Sequence, residues 1–147
     1  MIRVSVASPQ EIVPIDRARL RHVVRTVLEG EGTTDAEISL AFVDDPTSRR
    51  LNMQYLHHNE PTDVLGFPLS EGKAGKLKAE LVIGAEVAQA QARARNHDVQ
   101  AELALYIIHG LLHFCGYDDN DSRGTAAMRA RERHYLRRLD LPDIAPE

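Results

Sequence analysis

A single apolar run late in the chain limits the folds that are open to it. Residues 101–112 contain one charged side chain, Glu102, and nearly all of the remaining positions are apolar. A helix that is apolar on all sides is buried inside a domain. The run is also shorter than the ~20 residues that a membrane span needs. We therefore expect a central buried helix over 99–115, ended by Gly116.

Two histidines, His109 and His113, lie four residues apart inside this run. Positions i and i+4 share one face of a helix, with Cβ atoms about 5–6 Å apart, so both imidazoles can reach one metal ion. A histidine pair alone is more often structural than metal-binding, but an unpaired imidazole in a core is costly. The loop after Gly116 can return a carboxylate to the pair, and its acidic residues are Asp118, Asp119 and Asp121.

The composition is that of one ordinary globular domain. The 147 residues are 43% hydrophobic and 27% charged, which permits a real core. The net charge of −4 argues against indiscriminate binding of nucleic acid, although most basic residues are Arg, which suits contacts to phosphate. No secretory signal is visible, and the single cysteine excludes an internal disulfide. We therefore expect a cytoplasmic protein with no membrane span.

Hydrophobic periodicity predicts the element order β-α-β-α-β-β-α-α-α. The predicted strands are 2–6, 37–43, 63–68 and 76–83, with a hairpin connection at 70–75, and the predicted helices are 17–29, 46–55, 86–95, 99–115 and 123–139. Asp45, which precedes a proline, is predicted to cap the second helix. The order indicates a single α+β domain over 1–147, in which about five helices pack on a small mixed four-stranded sheet. We expect the metal site at the end of the central buried helix.

The histidine spacing also occurs in zincin metalloproteases, whose motif is His-Glu-x-x-His. In those enzymes the Glu after the first histidine acts as the general base. Gly110 occupies that position here, which argues strongly against a protease of this kind. A site with two histidines and one carboxylate still leaves coordination positions open for water and substrate, and such a site suits a phosphodiester as well as an amide.

Three separate blocks of the sequence resemble the YbeY family of bacterial endoribonucleases and rRNA maturation factors. The blocks are His109-Gly110-x-Leu112-His113-x-x-Gly116-Tyr117-Asp118, then Leu51-Asn52-x-x-Tyr55 with 61–68, and the strand 80–83. The resemblance runs from about residue 43 to 139. It implies a metal-dependent, single-strand-specific endoribonuclease that acts in 16S rRNA 3′-end processing and ribosome quality control. Its expected partners are rRNA and the small ribosomal subunit, with neither DNA nor a membrane.

The resemblance also implies the metal ligands, with one departure. The family motif ends in a third histidine, and Asp119 stands at that position. We therefore expect His109, His113 and Asp119 to hold one divalent ion. The family implies Zn²⁺. Mn²⁺ is an alternative, since a carboxylate suits harder ions than imidazole does, and Ni²⁺ is a further alternative. Asp121 is the alternative ligand, Asp118 is expected to shape the loop, and the sequence identifies no general base.

A second departure concerns the phosphate. The family usually carries Arg directly after the tyrosine of its second block, where a guanidinium could hold a phosphate, but Leu56 stands there. The nearest replacements in sequence are His57, His58, Arg49 and Arg50, although the two histidines read better as an exposed turn. The loss favours one alternative, a non-catalytic ribosome-assembly module with a structural metal. A metalloprotease is the third hypothesis, because Gly110 occupies the position of the general base.

Two further expectations concern the surroundings of the site. A positively charged groove beside the metal is expected to hold RNA. The remaining histidines outside the motif and the turn fit no spacing with the motif pair, and we expect them at the surface: His22, His97 and His134.

Overall fold

The computed structural model describes residues 1–69 and 76–146, which form one α+β fold. In chain order its elements are β1 (Ile2–Ala7), α1 (Arg17–Gly30), β2 (Asp35–Val43), α2 (Asp45–Leu56), β3 (Val64–Pro68), β4 (Lys76–Gly84), α3 (Ala85–Arg95), α4 (Val99–Phe114) and α5 (Ser122–Arg138). The predicted order of strands and helices is confirmed, with boundaries shifted by no more than two residues. The hairpin connection predicted at 70–75 lies outside the described residues.

The four strands form one mixed sheet in the order β1-β2-β4-β3. The pairs β1–β2 and β2–β4 are parallel, and the edge strand β3 runs antiparallel to β4. Parallel neighbours need a crossover connection, and α1 provides it between β1 and β2. The predicted mixed four-stranded sheet is therefore confirmed.

The two faces of the sheet are covered unequally. On one face, α1 and α4, with α3 and α5 beside them, bury the apolar side chains of β2 and β4, among them Ile38, Leu40 and Leu81. On the other face a smaller apolar cluster surrounds Leu65, and Leu51 of α2 packs against it. The main core therefore lies between the sheet and the layer that contains α4.

The helix α4 is the centre of this layer. Eleven of its 16 residues are buried, and it contacts α1, α3, α5 and the strands β3 and β4. Gly110 permits the close approach to the sheet, because a Cβ there would lie 2.6 Å from Leu81 Cδ2. The helix ends before Gly116, whose φ of 101° turns the chain back. No helix within the described ranges is both long and apolar enough to cross a membrane.

Aspartate side chains fix where several helices begin. They cap α1, α2, α4 and α5 by accepting hydrogen bonds from backbone N–H groups of the first turn, and the residues are Asp16, Asp44, Asp98 and Asp121. The prediction that Asp45 caps α2 is wrong by one residue. Asp44 accepts the bond from Thr47 N at 2.9 Å, and Asp45 is already helical.

Candidate metal centre

The end of α4 and the loop after it bring three potential metal ligands together. His109 and His113 project from one face of the helix, and their Nε2 atoms lie 3.1 Å apart. Asp119 approaches from the loop beyond Gly116, with its Oδ1 4.0 Å from His113 Nε2. The three ligand atoms lie within 4.8 Å of one another. The residues predicted from the sequence therefore meet at one point.

This donor set fits a divalent ion. Two nitrogens on a tetrahedral zinc ion are separated by about 3.3 Å, close to the 3.1 Å between the histidine Nε2 atoms. A shared ion would take one lone pair from each of the two Nε2 atoms. The Asp119 side chain is 35% exposed on its loop and needs only a modest shift to complete the set.

The set has three members rather than four. Within the described part of the chain, no further His, Cys, Asp or Glu belongs to the group. Structural zinc sites are closed by four protein ligands, whereas catalytic sites keep a position for water or substrate. The arrangement therefore resembles a catalytic site.

A buried carboxylate lies directly behind His109. Glu132 of α5 is completely buried, and its Oε2 accepts a hydrogen bond from His109 Nδ1 at 2.7 Å. Because the proton is then on Nδ1, the Nε2 lone pair is free on the side of His113 and Asp119. Arg129 Nη1 donates to both Glu132 oxygens, at 2.7 and 2.9 Å. Glu132 thus fixes the tautomer and the orientation of the first histidine.

Glu132 is the site residue that sequence reasoning missed, although a signal was present. It lies at helical spacing from Met128, Tyr135 and Leu136, which form the buried face of α5. A charged side chain on an otherwise apolar face requires a buried partner. The many arginines on this helix mask the pattern, since they suggest a solvated surface.

The two neighbouring aspartates of the loop have structural roles. Asp121 caps α5 by accepting from Gly124 N at 2.7 Å, so the alternative in which Asp121 replaces Asp119 as ligand is not supported. Asp118 accepts from Asn120 N at 3.2 Å, which agrees with its predicted role in shaping the loop. Asp119 is therefore the carboxylate of this loop that is grouped with the histidines.

A cavity of about 530 Å³ opens beside the candidate metal centre. Its wall includes His109 and Asp119 and extends along α4 past Tyr106 to Glu102. Acidic residues outnumber the two arginines in this wall, and they are Glu60, Asp63, Glu102, Asp119 and Glu132. The expectation of a positively charged groove is therefore wrong for this cavity.

The cations of the cavity are not those suggested by proximity in sequence. Arg95 and Arg129 line it, whereas Arg49 and Arg50 line a separate cavity of about 520 Å³ along α2. His57 and His58 lie in the exposed turn after α2, as their sequence context indicates. Leu56 is itself 50% exposed. Within the described wall of the metal-side cavity, none of the four suggested replacements for the family arginine is present.

The far end of the cavity contains a second buried carboxylate. Glu102 is 2% exposed, its Oε1 lies 2.5 Å from His97 Nε2, and Arg95 Nη1 lies 3.7 Å away. The expectation that His97 is a surface residue is wrong, because the turn between α3 and α4 folds it onto this acid. Burial, together with the negative charge of Glu102, raises the pKa of Tyr106, so this tyrosine stays a neutral phenol.

The chain is similar to proteins of one family over most of its length. A family model described as "Endoribonuclease YbeY" matches residues 5–140. The Endoribonuclease YbeY of Salinibacter ruber is 40% identical in an alignment of 129 residues that covers 83% of this chain and 82% of that protein. The Endoribonuclease YbeY of Chlorobium luteolum is 38% identical over 125 residues, which are 85% of this chain and 90% of that protein.

A solved structure shares the fold. The solution structure of TM1509 from Thermotoga maritima matches with a TM-score of 0.66 at 24% sequence identity. The match covers 95% of this chain and 89% of that protein. The α+β architecture predicted from the order of elements is thus also the architecture of this neighbour.

Proposed function

Because the chain belongs to the YbeY family of endoribonucleases, we propose that it is a metal-dependent endoribonuclease whose ion is held by His109, His113 and Asp119. Membership in the family agrees with the predicted enzyme class, a hydrolase that cleaves RNA internally. The observation that carries the metal part of the proposal is the grouping of the three ligand atoms within 4.8 Å. Zn²⁺ is the expected ion, with Mn²⁺ and Ni²⁺ as alternatives.

The residues of the chain supply the geometry that such a reaction needs. The helix α4 fixes the spacing of the two imidazoles, and Glu132 holds His109 with Nε2 towards the site. Asp119 approaches from the loop, and the cavity leaves room for a substrate. A bound divalent ion would act as a Lewis acid towards the phosphodiester and towards water.

The finer assignments are proposals that rest on the family resemblance. We expect single-stranded RNA as substrate, with 16S rRNA 3′-end processing and ribosome quality control as the setting. The expected partners are rRNA and the small ribosomal subunit, the expected location is the cytoplasm, and the expected domain spans 1–147. Cleavage of precursor 16S rRNA at its 3′ end, compared with an unrelated single-stranded RNA, tests the substrate assignment.

Neither alternative function gains support from a specific observation. A zincin-type protease needs a general base at position 110, where glycine packs against Leu81. A purely structural metal site needs four protein ligands, and the group within the described residues has three. Both features favour the hydrolase.

The proposal predicts RNA cleavage that requires both the metal and the histidine pair. The protein is stripped with a chelator, reloaded with Zn²⁺, Mn²⁺ or Ni²⁺, and assayed on single-stranded RNA under single-turnover conditions. His113→Ala is expected to lower the rate by more than the ~10–100-fold that loss of a supporting residue costs. His22→Ala, which removes an exposed histidine of α1, is the matched control. Equal rates for wild type and His113→Ala would eliminate the proposal.

A further inference from the structure

We propose that Arg129 forms a phosphate-binding subsite in the cavity beside the metal centre, where its guanidinium holds a phosphodiester oxygen of the RNA. The inference rests on the proposed function, because that function identifies the anion as RNA. The chemistry itself requires only a phosphodiester near the His109 side of the cavity.

Arg129 is placed next to the reaction site by a chain of hydrogen bonds. It lies on α5, one helical turn before Glu132, and it lines the same cavity as His109 and Asp119. Glu132 Oε2 accepts from both Arg129 Nη1 and His109 Nδ1. The guanidinium is therefore only two hydrogen bonds away from a candidate metal ligand, and it is held in place by a buried acid.

The guanidinium has donors to spare. The contacts to Glu132 use Nη1 alone, and Nε is buried without a hydrogen-bond partner among the described residues. A buried N–H group that lacks a partner costs about 1–3 kcal/mol. The Nε–Nη2 edge of an arginine is suited to bidentate contact with a phosphate. Because 19% of the Arg129 side chain is exposed, a small rotation towards the cavity brings this edge to an anion.

The second arginine of the cavity is less available. Arg95 Nη2 donates to Ile144 O at 2.6 Å, and its Nη1 faces Glu102 at 3.7 Å. Both contacts hold Arg95 at the far end of the cavity, away from the histidines. Since the rest of the titratable wall is mainly acidic, a phosphate near His109 has Arg129 as its cationic side-chain partner in the described wall.

Single-phosphate neutralisation tests the subsite. The probe is a short 2′-O-methyl RNA, which resists cleavage, in which one phosphate at a time is replaced by an uncharged methylphosphonate. Its affinity is measured for chelator-treated and for metal-loaded protein. The variants are Arg129→Gln, which can still donate to Glu132, and Arg129→Lys, which keeps the charge. Arg138→Gln removes an exposed arginine from the last turn of the same helix and is the matched control.

The expected pattern is a coupling between one residue and one phosphate. Wild type loses about tenfold in affinity, ~1.4 kcal/mol, at one methylphosphonate position. Arg129→Gln binds the unmodified probe about tenfold more weakly and shows no further loss at that position. Arg129→Lys loses less affinity for the probe, because it keeps the charge but not the planar guanidinium. It replaces Arg129→Gln in the test if the Gln variant does not fold. Arg138→Gln behaves as wild type.

Two results would overturn the subsite. In the first, Arg129→Gln keeps the full methylphosphonate penalty. In the second, Arg129→Gln binds the metal more weakly than wild type, but without metal it binds RNA as tightly as wild type does. Arg129 would then support only Glu132 and would not contact the phosphate. Cleavage assays on the same preparations separate the two proposals. A wild type that cleaves RNA alongside either result rejects the subsite alone, whereas a wild type that neither binds nor cleaves RNA rejects both.

Discussion

Glu132 supports the candidate metal centre through His109. Its buried carboxylate accepts the His109 Nδ1 proton, and replacement by Gln removes the charge while keeping the shape. We expect Glu132→Gln to weaken metal binding by about 10–100-fold, measured by competition with a chromogenic chelator. Glu29→Gln, at an exposed position of α1, is expected to bind the metal as wild type does. Unchanged affinity in Glu132→Gln would show that the tautomer of His109 does not depend on this acid.

Replacing Asp119 and replacing Asp121 are expected to affect different properties, metal affinity in the first case and stability in the second. Asp119→Ala should lose metal affinity with little change in the stability of the metal-free protein, because its side chain is partly exposed. Asp121→Ala should keep metal affinity and lose about 1 kcal/mol of unfolding free energy, because it removes the cap of α5. Metal titration and urea denaturation of both variants provide the comparison. The reverse pattern would make Asp121 the ligand.

At the scale of single residues, the sequence was informative only where contacts are local. His109 and His113 follow from helical spacing, and Asp119 follows from its place in a motif of ten or so residues. The helical spacing of Glu132 with Met128 and Tyr135 marks it as a buried acid, but its partner His109 and the place of Arg129 could not be assigned, because they depend on how α5 packs against α4. That packing joins residues far apart in sequence, and no local pattern encodes it.

The contact between α4 and β4 depends on Gly110. A methyl group there would lie 2.6 Å from Leu81 Cδ2, and the surrounding core is closely packed. We expect Gly110→Ala to lower the unfolding free energy by about 1–3 kcal/mol despite the better helix propensity of alanine. The measurement is urea denaturation followed by circular dichroism. In a double-mutant cycle, Leu81→Ala should relieve part of this cost, whereas strict additivity would contradict the predicted contact.

The junction of α1 and α5 depends on an ionised Glu31. Burial raises the pKa of Glu31, but hydrogen bonds from Tyr135, Arg131 and Tyr117 outweigh it and hold the pKa below its usual 4.5. A depressed folded-state pKa contributes stability above the unfolded-state pKa, and this contribution is lost as the pH falls through the folded-state value.

Glu31→Gln should therefore destabilise the protein in a pH-dependent way. We expect a loss of about 1–3 kcal/mol at pH 7 and convergence with wild type at acidic pH, once Glu31 is protonated in the folded state as well. Urea denaturation at several pH values measures the difference, and Glu29→Gln controls for the loss of one negative charge. A difference that stays constant between these pH values would contradict the pKa of Glu31 inferred from its contacts.

At the scale of elements, hydrophobic periodicity and the positions of glycine and proline were nearly sufficient to predict the strands and helices. Alternation along β2 and helical spacing along α1 predict their elements well, and glycine marks the end of α4. The cap of α2 was placed one residue late, because Asp44 and Asp45 both fit the pattern before a proline. The strand order β1-β2-β4-β3 was not predicted, since it depends on long-range packing.

At the scale of the molecule, the order of elements and the central apolar helix predict the α+β class, and the family resemblance adds the expected chemistry. The electrostatics of the cavity could not be predicted. Its wall collects acidic residues from separate parts of the chain, whereas net charge and clusters of arginine describe only the sequence. The proposed catalytic site therefore lies at the end of α4, supported by α5, in a cavity with few cations.

The most direct test of this account is the position of the bound ion. Crystals grown with Zn²⁺ or Mn²⁺ are measured at the absorption edge of the metal. We predict one anomalous peak at about 2.0–2.2 Å from His109 Nε2, His113 Nε2 and an Asp119 oxygen, with Glu132 bound to His109 and not to the ion. A peak elsewhere, or an ion closed off by four protein ligands, would contradict the account.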